Sequence, residues 1–250
     1  MRMIQRPLLA CALLGVANAW LPAQDTAETK ALLDKAIKAA GGQAKVEALK
    51  NLAWKGKLSL DANGQQISIG MDGSFQGWDK QRLEVEVNVN GMTQNLLLVI
   101  NGKKGWVKNQ DKVNELGKEL ATFSDVVFGV RGPQLLTRLR DKSIQLSHLG
   151  EIKVGDQDAV GLRISRKGSP DLNIFFSKKT HLLLKADSRF TEPQGKEIEM
   201  EILFNEYKDF DGLKHFTKVI FKADGKAVNM EVSEVRPGAQ FEAKTFAKPE

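Results

Sequence analysis

The sequence predicts a mainly β (α+β) fold: a single curved antiparallel sheet of about ten strands, a half-barrel, with helices over its concave apolar face. Three observations predict it. Apolar residues recur at helical spacing only near the start and the middle of the chain. Elsewhere apolar and polar residues alternate, as in strands that have one wet face. Asn-Gly and Asp-Gly pairs separate these strands, and such pairs favour hairpins between antiparallel neighbours.

The first residues have the pattern of a secretory signal peptide. Residues 1–6 carry two arginines, residues 8–16 are almost wholly apolar, and Ala17-Asn18-Ala19 is a signal peptidase site. The apolar run is shorter than the roughly 20 residues that span a bilayer. We therefore predict a signal peptide at 1–19 and one mature domain at 20–250, located in the periplasm.

An alternative for the N-terminus is a lipoprotein box at Leu8-Leu9-Ala10-Cys11. Cleavage before Cys11 would leave almost no apolar run ahead of the cut, so we favour cleavage after Ala19, with Ala23 as a second position. Cleavage after Ala19 removes the only cysteine of the chain. Thiol catalysis and thiolate metal sites are then excluded for the mature protein.

The helices are predicted at the start and in the middle of the chain. Asp25 and Glu28 can form a capping box, and Gly41-Gly42 ends an apolar stripe that recurs at helical spacing. A shorter helix follows at 43–50. In the middle of the chain, Leu116 to Val127 repeats the helical period, and Pro133 is placed to begin a second helical piece.

The strands are predicted from twofold alternation. Glu197, Glu199 and Glu201, for example, alternate with Ile198, Met200 and Ile202, so that one face is acidic and the other apolar. The same pattern predicts strands at 52–60, 67–71, 83–89, 143–152, 159–166, 172–177, 182–188, 196–206, 214–222 and 227–235.

Residues with catalytic chemistry are too scattered to predict an active site. The three histidines lie far apart in the sequence, and a G-x-S-x-G elbow is absent. Asp209 to Gly212 resembles part of a calcium loop, but Tyr207 and Lys218 occupy two of its ligand positions, which favours a hairpin turn. We expect a protein that is not an enzyme and that binds no metal or cofactor.

Several stretches resemble exported proteins with the outer-membrane lipoprotein carrier (LolA/LolB-like) fold. They are ALLDKAIKAAGGQAKVEALKNLAWKGKLSL, then DGSFQGWDKQRLEVEV with LLLVINGKKGWVKN, and the closing NEYKDFDGLKHFTKVIF. The resemblance implies a curved antiparallel half-barrel, capped by helices, that holds lipid acyl chains. The family's lipoprotein carrier also has an arginine in its cavity, and the sequence alone does not place an equivalent here.

The resemblance and the apolar alternation together predict a lipid-binding interior. Each CH₂ of a buried acyl chain gains about 0.8 kcal/mol, so a hydrophobic hollow binds lipid without specific polar contacts. The predicted lining residues are Trp54, Met71, Phe75, Leu83, Val85, Val87, Leu98, Ile100, Trp106, Ile198, Met200, Ile202, Phe204, Val219, Phe221 and Met230.

The expected function is a periplasmic carrier of lipid or lipoprotein acyl chains, with envelope donor and acceptor proteins as further partners. The alternative is a non-catalytic interaction or sensor module whose hollow is filled by its own side chains. The net charge of +6 falls to +4 when Arg2 and Arg6 leave with the signal peptide. This mildly basic charge, without an arginine-rich run, suits peripheral contact with anionic lipid and argues against nucleic acid. We expect a monomer.

Overall fold

The computed structural model describes residues 27–62, 65–89 and 92–250. The predicted signal peptide and the pairs Asn63-Gly64 and Asn90-Gly91 lie outside the described residues. Within the described ranges, every helix is too short or too polar to cross a bilayer.

Three α-helices occur where the helical period predicted them: α1 (Ala27–Ala39), α2 (Gln43–Ala48) and α3 (Glu119–Arg131). The segment after Pro133 differs from the prediction, because it forms two short 3₁₀ turns, Gly132–Gln134 and Leu136–Arg140. Leu135 separates these turns with a non-helical backbone (φ −90°, ψ 49°), which prevents one continuous helix.

A single antiparallel sheet contains thirteen strands, not about ten. They are β1 (Asn51–Ala62), β2 (Gln65–Gln76), β3 (Lys80–Val89), β4 (Met92–Asn101), β5 (Lys104–Asn109), β6 (Lys112–Glu115), β7 (Ile144–Val154), β8 (Gln157–Arg166), β9 (Leu172–Ser177), β10 (Leu183–Thr191), β11 (Glu197–Phe210), β12 (Leu213–Ala223) and β13 (Lys226–Pro237).

The additional strands are β4, β5 and β6, which alternation did not reveal. The sequence of β4 contains the continuous apolar run from Leu96 to Ile100, so it does not alternate. Val99 is fully buried, although its side chain lies on the face opposite to that of Leu98 and Ile100. The C-terminal segment explains this second buried face. Asn101, on the same face as Val99, donates a hydrogen bond to the Phe246 carbonyl at 3.1 Å.

The strand order is β6-β5-β4-β3-β2-β1-β13-β12-β11-β10-β9-β8-β7. Strands that are consecutive in sequence are paired, with the exception of β6 and β7. The first strand pairs with the last, and the chain passes from the edge strand β6 to the opposite edge strand β7 through α3 and the 3₁₀ turns. This helical crossover therefore lies across one face of the sheet.

The contacts of α3 require that the sheet is strongly curved. A Cβ added to Gly105 in β5 would lie 2.9 Å from Leu120 of α3, and a Cβ added to Gly129 of α3 would lie 2.9 Å from Ser188 in β10. Strands β5 and β10 are eight intervals apart in the sheet order, which would separate them by roughly 38 Å in a flat sheet. Leu120 and Gly129 are only about 14 Å apart along the helix. The sheet must bend around α3, as in a half-barrel.

Two hairpins confirm the predicted turn chemistry. Asp211 and Gly212 have φ values of 53° and 80°, and Asp224 and Gly225 have φ values of 51° and 73°. Both central residues of a type I′ turn need positive φ, which Asp and Gly tolerate. The β11–β12 turn also contacts the helices, since Lys214 donates a backbone hydrogen bond to the Ala40 carbonyl at 3.0 Å.

The main core lies between the concave face and the helices. Leu33, Ala36 and Ile37 of α1, Leu135 between the two 3₁₀ turns and Leu139 in the second turn are at most 4% exposed. They belong to one buried cluster with the inner residues of β7 to β12. This half of the concave face is filled by the protein's own side chains.

Candidate functional site

A cavity of about 350 Å³ lies between α3 and the concave face, over β1 to β3, β13 and the adjoining parts of β11 and β12. Nearly all of its lining is apolar, and the exceptions are Gln81, Arg131, Gln134 and His215. The apolar lining residues are Leu52, Trp54, Leu58, Met71, Phe75, Leu83, Val126, Val127, Val130, Met200, Phe216, Phe221, Val228, Met230 and Val232.

Trp54 and Phe75 form the floor of the cavity near α2. Their rings stack at a centroid distance of 6.4 Å with an interplanar angle of 9°. The register places Trp54 opposite Gly73, and a Cβ at Gly73 would collide with the indole ring. Glycine at this position therefore allows the indole to lie flat on the sheet.

Arg131 is the buried cation of the cavity. Its side chain is 1% exposed, and its guanidinium lies 4.5 Å from the centroid of the Phe75 ring. One terminal nitrogen donates to the Leu49 carbonyl at 2.6 Å, and the other donates to Oε1 of Gln134 at 2.8 Å. Burial lowers the pKa of Arg131 to about 9, so the guanidinium keeps its charge at neutral pH. None of the ion pairs found among the described residues includes Arg131.

Buried polar atoms without a partner are concentrated in this cavity. Among the described residues, Trp54 Nε1, Gln81 Oε1, Arg131 Nε and His215 Nε2 find no hydrogen-bond partner, and all four residues line the cavity. His215 Nδ1 lies 2.8 Å from the Phe216 carbonyl, so the neutral ring donates from Nδ1 and leaves Nε2 as an acceptor. Burial, together with the nearby charge of Arg131, lowers the pKa of His215 to about 4. Buried polar atoms are nearly always paired with protein or water, so this concentration makes the cavity a candidate binding site.

Solved structures share this architecture at low sequence identity. A LolA superfamily protein from Nitrosomonas europaea has a TM-score of 0.57 at 12% identity, over 88% of this chain and 97% of its own. A putative outer membrane lipoprotein-sorting protein domain from Vibrio parahaemolyticus has a TM-score of 0.57 at 14% identity, over 86% and 96%. A DUF1329 family protein from Desulfovibrio piger has a TM-score of 0.56 at 15% identity, over 87% and 96%.

The protein has a LolA-like fold. No family model and no curated protein matches its sequence. The likeness is therefore one of architecture, and it confirms the fold that the sequence motifs predicted.

Seven of the predicted lining residues do surround the cavity. Trp54, Met71, Phe75, Leu83, Met200, Phe221 and Met230 line it. Val85 and Val87 follow Leu83 on the same face of β3 and are half-exposed, so they extend the apolar surface beyond the cavity. Whether any of these residues binds lipid stays a prediction.

The other predicted residues lie elsewhere. Leu98 and Ile100 are buried on the inner face of β4 without lining the cavity, and Ile198 is buried on β11. Ile202, Phe204 and Val219 are at most 1% exposed and belong to the packed core of the filled half.

Trp106 is on the opposite face of the sheet from the cavity. It pairs with Val99 in β4, whose neighbours Leu98 and Ile100 point inward. Lys108, on the same face as Trp106, donates a hydrogen bond of 2.5 Å to the main-chain carbonyl of Glu250. The C-terminal segment, and not the interior, therefore runs along the side of the sheet that carries Trp106.

Sequence reasoning missed Arg131, Gln81 and His215. Arg131 had a detectable signal, because it continues the helical stripe that contains Leu120 and Val127, where a charged residue is unexpected. Gln81 lies just before the alternating pattern of β3, and His215 lies within the pattern of β12. Neither residue type is unexpected at its position.

The acidic stripe of β11 forms ion pairs on the outer face. Glu199 lies 2.9 Å from Arg189, and Glu201 lies 2.8 Å from Lys185 and 2.9 Å from Lys222. Hydrogen bonds from Lys185 and Lys222 lower the pKa of Glu201. Within the described part of the chain, no cluster of three or more His, Cys, Asp or Glu side chains is suited to a metal.

Proposed function

We propose that this protein is a non-catalytic carrier that binds acyl chains of a lipid or lipoprotein in the LolA-like cavity and moves them through the periplasm. The observation that carries the proposal is an apolar hollow that the protein's own side chains leave open. Its volume of about 350 Å³ is in the range of small-molecule sites. The lipoprotein-sorting domain that shares this fold supports the proposal by its architecture.

The cavity continues into an open apolar strip. Ile67, Ile69, Val85 and Val87 on β2 and β3 are half-exposed on the face that carries the cavity residues Met71 and Leu83. A contiguous apolar surface that is partly open to solvent is a candidate binding surface. A chain of roughly fourteen carbons gains about 10 kcal/mol on burial before ordering costs are subtracted.

A self-filled interaction or sensor module is the second candidate. The packing of Ile202, Phe204 and Val219 into the core favours it for one half of the concave face. It requires the cavity at Trp54 and Leu83 to exclude hydrocarbon, and this requirement separates the two functions.

Lipid occupancy tests the proposal. Native mass spectrometry of protein exported to the periplasm should show co-purified lipid masses, and delipidated protein should bind the neutral dye Nile red. Leu83→Trp should fill the cavity and weaken dye binding at least tenfold. Ile152→Trp is the matched control, because Ile152 is 36% exposed on the edge strand β7. An empty wild-type protein that also excludes Nile red would favour the module.

A further inference from the structure

We propose that the cavity selects a single-chain amphiphile with a carboxylate head group, and that it binds this head group in its interior beside Arg131. The inference rests on the proposed function, since it names the ligand of the same cavity. The reasons are an unbalanced buried charge, unpaired polar atoms at one end of the cavity, and the length of the apolar remainder.

No carboxylate in the described part of the chain forms an ion pair with Arg131. Its contacts are the Leu49 carbonyl, the Gln134 amide and the face of Phe75, all of which are neutral. His215 is neutral as well, because its ring donates to the Phe216 carbonyl and its pKa lies far below 7. A buried cation without an anion is costly, and an anionic ligand would relieve this cost.

The unpaired polar atoms surround Phe75, directly below Arg131. Trp54 stacks on Phe75, and Gln81 is its cross-strand partner in β3. The Nε1–H group of Trp54 and the Nε–H group of Arg131 can donate hydrogen bonds to a ligand, and the Gln81 amide can turn to donate as well. The His215 Nε2 acceptor suits a water molecule beside the head group.

The opposite end of the cavity is wholly apolar. Along β1 the lining extends from Leu52, which pairs with Phe75, to Leu58, which pairs with Met230. Six residues of strand span about 20 Å. One leaflet of a bilayer has an apolar thickness of about 15 Å, so an acyl chain fits between the Arg131 end and Leu58.

The volume and the charge narrow the ligand class. A cavity of about 350 Å³ is at the lower end of ligand sites, which favours one chain over several. One guanidinium balances one carboxylate. A phosphate monoester carries a charge of about −1.5 to −2 at neutral pH and would leave part of it uncompensated.

The experiment compares head groups on one chain length. Delipidated wild-type protein is titrated at pH 8 with dodecanoate, methyl dodecanoate and dodecyl phosphate by displacement of Nile red. We expect dodecanoate to bind at least about tenfold more tightly than its methyl ester, which is the effect of one charge-assisted hydrogen bond. Arg131→Met should abolish this preference. Arg140→Met is the matched control, because Arg140 is exposed and pairs with Asp34 outside the cavity.

Each result has a distinct meaning. Equal binding of acid and ester, or tighter binding of dodecyl phosphate, would overturn the carboxylate site and leave the carrier function intact. Failure of all three ligands and of Nile red would overturn the carrier function itself. If Arg131→Met does not fold, the comparison of acid and ester on the wild-type protein still decides the question.

Discussion

Replacing His215 with glutamine should make the protein less sensitive to acid. The imidazole is 6% exposed, and burial lowers its pKa from 6.5 in the unfolded chain to about 4 in the folded protein. Because the unfolded state binds the proton more readily, His215 contributes stability above pH 6.5 that is lost as the pH falls toward 4. At pH 4.5 this loss amounts to about 2.5 kcal/mol in the free energy of unfolding.

The glutamine side chain does not titrate, so the variant should not suffer this loss. Carboxylates such as Glu47 and Glu201, whose pKa values are also lowered by their hydrogen bonds, titrate in both proteins and cancel in the comparison. The assay is urea unfolding of both proteins at pH 7.0 and pH 4.5. The free energy of unfolding should fall by about 2.5 kcal/mol more in the wild type than in His215→Gln. An equal fall would mean that the folded imidazole is open to water, which would refute the argument for its neutral, buried state.

Three further substitutions distinguish the apolar surface beside the cavity from the packed parts of the fold. Val85→Glu should keep the fold and weaken Nile red binding, because Val85 is half-exposed. Ile202→Glu should abolish cooperative urea unfolding, because it places an unpaired carboxylate at a fully buried site. Unfolding of both variants would place Val85 in the core. Phe246→Ala should lower the free energy of unfolding by about 3–5 kcal/mol, because Phe246 is 3% exposed against β3 and β4. An unchanged urea midpoint would show that the C-terminal segment does not stabilise the sheet.

Local patterns in the sequence predicted the elements that depend on near neighbours. Helices α1 and α2 followed from an apolar stripe that ends at Gly41-Gly42, and the Asp-Gly pairs at 211–212 and 224–225 form the hairpins expected of them. Alternation placed the inner face of β11 correctly, with Ile198, Met200 and Ile202 all buried. In each case, residues within a few positions of one another determine the conformation.

The candidate site was only partly predictable. Alternation identified Trp54, Met71 and Leu83 as inward residues, but it assigned Ile202 to the same lining although Ile202 lies in the packed core. A twofold pattern reports the face of a strand, and it contains no information about what covers that face. The helical stripe shows Arg131 as an unexpected charge, but its burial beside the cavity follows only from its contacts with Leu49 and Phe75, which are distant in sequence.

The sequence by itself determined that the chain forms a one-sided antiparallel sheet with few helices, because propensity, period and turn chemistry act over short stretches of chain. Tertiary structure alone decided where the concave face is filled and where it stays open. Three long-range arrangements determine which strands are covered by packed side chains. They are the path of α3 between the two edges of the sheet, the docking of α1 against β7, and the position of the C-terminal segment beside β4. Packing volume arises from contacts between distant residues, so the cavity and the isolated charge within it appear only in the folded chain.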